Sequence, residues 1–198
     1  GFAKEEIKGC FLCGISQKGN YFDIFRNRIM IPIIDLNGNI VAFGGRVMDD
    51  SKPKYLNSSD TPVFKKSKNL FAMNFAKNAV LGDKGKQDAV SGASVDMAGK
   101  LIMCEGYMDV IALHQAGFTN AVATLGTAVT PEHARFVSRY AKTVYLAYDS
   151  DGAGKNATKK AINLLSEVGI DAKIINIVGA KDPDEYIKKY GKAAFARL

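Results

Sequence analysis

Residues 144–161, VYLAYDSDGAGKNATKKA, place Asp149 and Asp151 one residue apart at the tip of an apolar run. Two ionised carboxylates that close repel each other, and either a bound cation or a well-solvated loop relieves them. The same setting recurs twice. Glu105 follows the apolar residues 101–104 in CEGYMDV, with Asp109 four residues on, and Asp182 and Asp184 open KDPDEYI behind residues 172–178. A spacing of four puts Asp109 on the helix face of Glu105, one turn along. Oxygen ligands that arrive from separate strand ends suit Mg²⁺ or Mn²⁺, ions that bridge phosphates. Simpler roles compete for each residue. Glu105 could be a first-turn acid complementing a helix dipole, Asp109 a surface acid, Asp149 or Asp151 the cap of the next helix, and Asp182 an ordinary N-cap. Capping accounts for one acid per helix. It does not account for pairs behind two strands and a glutamate behind a third.

These side chains need a scaffold that delivers strand ends to one edge. From residue 100 onward, short apolar runs at 101–104, 120–124, 143–148 and 172–178 alternate with helical patterns at 107–116, from 131, at 153–168 and from 183. Thr130-Pro131 and Asp182-Pro183 read as N-caps with proline at the first helical position, and Glu185 falls at the third. The alternation predicts an open parallel sheet with helices on both faces, whose ligands sit beyond the carboxyl ends of the strands.

The first half reads differently. Residues 29–34 and 40–43 form two strands around the Asn37-Gly38 turn signal, the return strand ending at Gly44-Gly45. Pro32 implies an edge position or a bulge. Residues 51–68 read as a long functional loop, 69–79 as a short helix and 82–99 as a linker.

Of the 198 residues, 47% are hydrophobic and 24% charged, enough for one larger domain or two small ones. No apolar run is long enough to span a bilayer and the N-terminus lacks signal-peptide character, so a soluble, cytoplasmic protein is expected. The opening without methionine implies a piece of something longer. The net charge of +7 favours a polyanionic partner. Between residues 24 and 77, nine Lys/Arg stand against four acids. Cys10 and Cys13 form half of a zinc motif, and Cys104, His114 and His133 do not complete it.

CEGYMDV, YDSDGAG and KDPDEYI, in that order, resemble the three acidic motifs of a TOPRIM domain, a catalytic module of bacterial primases, topoisomerases and some nucleases. FRNRIMIPI, VAFGGR and KPKYLNSSDTPVFKKSKNLF look closely like the basic subdomain of DnaG-type primases, so the resemblance covers nearly the whole chain. It implies an α/β fold: a TOPRIM-type open parallel sheet over 100–198, preceded by a smaller, β-rich, basic α+β subdomain over 1–99. It further implies a nucleotidyltransferase that makes short RNA primers on single-stranded DNA at the replication fork. Glu105, Asp149 and Asp151 would be catalytic and, with Asp109, Asp182 and Asp184, would hold Mg²⁺ or Mn²⁺. Arg26, Arg28, Arg46, Lys54, Tyr55, Asn57 and Lys66 would face nucleotide, template and RNA–DNA hybrid. A replicative helicase would join through a C-terminal domain that this sequence does not contain. Ser150 stands where the primase pattern has glycine, and the stretch before CEGYMDV is longer than usual. The rival readings are a TOPRIM topoisomerase or nuclease, which would need a nucleophilic tyrosine in another module, and a DNA-binding protein with eroded acidic motifs. The acidic motifs here are intact.

Overall fold

A computed structural model describes residues 1–82, 96–148 and 152–198. The chain packs as two compact units, Gly1–Lys66 and Ser67–Leu198.

In the first unit, helix α1 (Lys4–Gly9) precedes an antiparallel pair, β1 (Cys13–Ile15) and β2 (Tyr21–Asp23). A three-stranded antiparallel sheet follows in the order β3 (Arg28–Ile34), β4 (Ile40–Val47), β5 (Tyr55–Asn57). Pro32 lies on the outer strand β3, where a missing N–H costs no ladder bond, and the register shifts between Ile33 and Ile34. The turn into β4 is closed by Asp35, whose Oδ1 accepts the N–H groups of Asn37 and Asn39, both at 2.9 Å. Gly38 supplies the left-handed residue at φ 89°.

Two sequence expectations need correction here. Strand β4 does not stop at Gly44-Gly45 but runs through both to Val47, and β5 rises out of the expected loop to pair with the extension. The glycines make room rather than end the strand. A Cβ on Gly45 would lie 2.9 Å from Phe25 and from the Arg28 side chain.

The second unit holds helix α2 (Met73–Val80) and a four-stranded parallel sheet. Its strands are β6 (Lys100–Cys104), β7 (Ala121–Ala123), β8 (Thr143–Ala147) and β9 (Asp171–Ile174), ordered β7-β6-β8-β9. Its other helices are α3 (Tyr107–Gln115), α4 (Pro131–Val137), α5 (Gly152–Ser166) and α6 (Pro183–Phe195). Leu101, Ile102, Met103 and Cys104 are all buried, as a strand covered on both faces must be. One face packs with α3 and α6 through Val110, Leu113, Phe118, Tyr186 and Phe195.

Helix α2 starts later than expected because residues 69–72 have other work. Phe71 exchanges backbone hydrogen bonds with Ala123, the last residue of β7. Thr130 Oγ1 donates to the Ser67 carbonyl at 2.8 Å, and His133 Nε2 donates to the Asn69 carbonyl at 3.0 Å. His133 Nδ1 accepts from the Thr130 N–H, which fixes the ring as the neutral Nε2–H tautomer. These bonds and the packing of α2 tie residues 67–80 to the parallel sheet, although the sequence reading groups them with residues 1–66.

Strand β9 ends at Ile174, short of the expected 178, and its last tie to β8 is the bond from Ile175 N to Leu146 O. The expected linker, residues 82–99, lies largely outside the described residues. Among the described residues, no helix is long and apolar enough to cross a membrane.

Candidate active site

Strand order fixes where a ligand can sit. The chain leaves β6 toward β7 on one side, then returns past β6 to β8 and continues outward to β9. The order therefore reverses between β6 and β8, and an open parallel sheet forms its crevice outside the carboxyl ends at such a point. Cys104 pairs with Ala147 at the end of the shared register. The next residue on each strand is Glu105 and Tyr148, so these two flank the crevice.

Asp109 is the third residue of α3, whose N-cap is Gly106. It is buried, and its Oδ1 accepts the Asp184 N–H at 3.3 Å. Asp184 lies in the first turn of α6, so the carboxylate joins the starts of two helices. Asp182 is the N-cap of α6 and accepts from Glu185 N at 2.8 Å, while Glu185 accepts from Lys181 N at 3.2 Å. Asp184 pairs with Lys188 at 2.7 Å, and Asp182 with Lys181 at 3.7 Å. The capping role weighed for Asp182 is thus present, and Asp184 carries an ion pair of its own.

Gly106 leaves room for this arrangement. A Cβ there would come within 3.1 Å of Asp109 Oδ2, so a side chain at this position would press on the carboxylate where it folds back over the helix start.

Asp149 and Asp151 lie outside the described residues. Among the described residues, no three His, Cys, Asp or Glu side chains gather closely enough to hold an ion. The donors that are placed, Glu105 and Asp109, have the hard oxygen chemistry of a Mg²⁺ or Mn²⁺ ligand set. The soft donor nearby, Cys104, is fully buried in the core between sheet and helices.

Sequence reasoning treated Tyr148 only as the end of a strand. The structure buries it, and among the described residues its hydroxyl has no hydrogen-bond partner. Burial drives the phenol far above its ordinary range, and the neighbouring Cys104 and Glu105 push it the same way. Its place directly before the Asp149–Asp151 pair is the one signal the sequence offered.

The basic residues belong to the first unit. Arg46 pairs across strands with Tyr55 and sets its guanidinium 5.8 Å from the ring centroid, and Lys54 Nζ lies 5.8 Å from the same ring. Ile29 pairs with Arg46 from the other side, making an apolar–cationic–aromatic row across three strands. Asn57 sits two residues further along β5, on the same face as Tyr55. Arg26 stands over Phe22 at 5.5 Å. Arg28 differs: its Nη1 donates to the Pro53 carbonyl at 2.9 Å and so anchors the approach to β5. Lys66 contributes its backbone N–H to Asp60 at 3.0 Å, closing the loop that carries it. Cys13 is buried and Cys10 exposed.

Comparison with known proteins agrees with this architecture. A Toprim-like family profile matches residues 102–187, and the profile of the DNA primase catalytic core N-terminal domain matches residues 1–77. The second unit thus has a Toprim fold, and the first matches the N-terminal domain of a primase catalytic core. A DNA primase of Clostridium acetobutylicum is 48% identical over 89% of this chain and 27% of its own length. The crystal structure of the Aquifex aeolicus primase, containing zinc-binding and RNA polymerase domains, superposes with a TM-score of 0.83 at 38% identity, over 98% of this chain and 44% of that one. The structure of a DnaG primase catalytic domain bound to single-stranded DNA gives 0.83 at 32% identity, over 98% and 57%. The chain belongs to the DnaG-type DNA primase family and corresponds to part of its catalytic core. It spans about a quarter of the length of the curated relatives it matches.

Proposed function

We propose that this chain is the catalytic centre of a bacterial primase, joining ribonucleotides into short RNA primers on single-stranded DNA. The supporting observation is that Glu105, with Asp109 one turn on, stands at the reversal point of a sheet matched to the Toprim family. The DNA partner is inferred from the related catalytic domain solved with single-stranded DNA.

The reaction is attack of a 3′-hydroxyl on an NTP α-phosphate with departure of pyrophosphate. A divalent cation, Mg²⁺ or Mn²⁺, held by Glu105, Asp109, Asp149 and Asp151, would supply charge neutralisation and activation of the attacking oxygen. Asp182 and Asp184 stand behind this set. Their cap and ion pair keep α6 in place, and the Asp184 N–H in turn orients Asp109. Glu105 is the candidate proton acceptor at the attacking hydroxyl. In the first unit, Arg46, Lys54, Lys66 and Arg26 supply positive charge for triphosphate and DNA backbone, with Tyr55 offering a ring for a base. Arg28 and Asn57 shape that surface. The RNA–DNA hybrid would be held there as it grows. A replicative helicase would be recruited through a further domain of the full-length protein, acting at the cytoplasmic replication fork.

Calorimetric titration of ATP with and without Mn²⁺ tests this reading. Mn²⁺-dependent ATP binding should be lost in Glu105→Gln and weakened about tenfold in Lys54→Ala. Undiminished Mn²⁺ affinity in Glu105→Gln would overturn the assignment of the acidic site.

A further inference from the structure

Of the buried side-chain oxygens without a hydrogen-bond partner among the described residues, the Tyr148 hydroxyl stands at the crevice. Tyr148 is 7% exposed, and its hydroxyl has no hydrogen-bond partner among the described residues. Phenylalanine would fill the same space without leaving a polar atom dry, and a buried hydroxyl without a partner is destabilising. A hydroxyl kept under such conditions is accounted for when it acquires a partner in another state of the protein.

Its position identifies that partner. Glu105 and Tyr148 are the first residues beyond the last register pair of the two strands that bound the crevice. Parallel neighbours stand roughly 5 Å apart. The hydroxyl lies within electrostatic reach of both the Cys104 thiol and the Glu105 carboxyl. Of these, the thiol is a weak acceptor and the carboxylate a strong one.

We infer that Tyr148 is a positioning residue for Glu105: when a divalent cation draws one carboxylate oxygen into the crevice, the Tyr148 hydroxyl donates to the other and holds the carboxylate in its ligating rotamer. The inference rests on the reading of Glu105 as a metal ligand. It assigns Tyr148 no contact with substrate. It also explains why the ring is buried at a ligand site. The apolar faces fix the ring, so its hydroxyl has one place to be, and a ligand set by such a support needs no reordering when the ion arrives.

The test compares Tyr148→Phe, Glu105→Gln and the unaltered chain in two measurements, Mn²⁺ affinity by electron paramagnetic resonance and thermal melting without metal. Tyr148→Phe should melt at the same or a higher temperature and yet bind Mn²⁺ about five- to tenfold more weakly. A variant that only damaged packing would melt lower. Unchanged Mn²⁺ affinity in Tyr148→Phe, alongside weakened binding in Glu105→Gln, would overturn the role of the hydroxyl and leave the acidic site standing. Unchanged affinity in both variants would overturn the metal site itself, and the inference with it. Should Tyr148→Phe melt lower, Tyr148→Met gives a second deletion of the hydroxyl. Retained affinity there also counts against the inference.

Discussion

Gly106 and Asp182 show how single residues divide between chemistry and support. Gly106→Ala places a methyl group against the Asp109 carboxylate, which must give by a few tenths of an ångström and so strains its already long bond from Asp184 N. Mn²⁺ affinity should fall about three- to tenfold with a stability loss of about 1 kcal/mol, within the usual range for one strained contact. Calorimetry and a denaturant melt on the same sample read both. Asp182→Ala should behave the other way round. It removes the cap on Glu185 N, for which about 1 kcal/mol is typical, and should change Mn²⁺ affinity less than Glu105→Gln does. At this scale the sequence was informative about the Asp182 cap and uninformative about the second duty of Asp109. The bond from Asp184 to Asp109 joins residues 75 positions apart, and no local spacing announces it. The Tyr148 hydroxyl was equally hidden, because strand periodicity records burial and not whether a buried oxygen is satisfied.

Among the elements, helix α4 does more than fill a crossover. Its N-terminal turn presents Thr130 and His133 to two carbonyls of the segment that leads into α2. His133→Ala removes a fully buried ring along with its bond to Asn69 and should cost about 2–4 kcal/mol in a denaturant melt. Thr130→Val, close in shape, should cost about 1–2 kcal/mol. Helix α3 ends in a group with a pH signature. Burial holds the His114 pKa below its ordinary value while Nε2 hydrogen-bonds the Ala121 carbonyl. The unfolded chain therefore takes up this proton first as pH falls through about 6.5, and stability is lost from there down to the lowered folded value. Melts at about pH 7 and about pH 5 should differ, and His114→Gln should narrow the difference. Caps and crossover helices were readable because proline, threonine and aspartate act on their own neighbours. Strand ends were not: β4 stops where its pairing with Arg28, the first residue of β3, stops, and Gly44-Gly45 looks like a terminator until the side chains needing that space are known.

For the whole molecule, the two halves of the charge pattern have separate tests. The basic excess sits among the residues up to 77, and the acidic motifs fall from 105 onward. Binding of an oligo-dT strand should weaken with salt, each neutralised phosphate contributing a log–log slope of about −0.7. Lys54→Ala should flatten that slope by about one such contact, whereas Glu105→Gln should leave it unchanged in the absence of divalent metal. Fluorescence anisotropy across a salt series reads both. The basic run over residues 24–77 was plain in composition. The packing division at Lys66 was not, because residues 67–80 resemble the basic half in charge while their hydrogen bonds belong to the parallel sheet.

The hold on Ser67 and Asn69 also sets a timetable. Its two side-chain donors are made 63 and 64 residues after the carbonyls they bind, and Ala123, which clasps Phe71, comes well after its partner too. A ribosome delivers the chain from the N-terminus, so the strands of residues 1–66 can find one another while α4 is still untranslated. The segment that follows them emerges with nothing yet to dock on, and it must wait, apolar side chains uncovered, until about sixty more residues have left the exit tunnel.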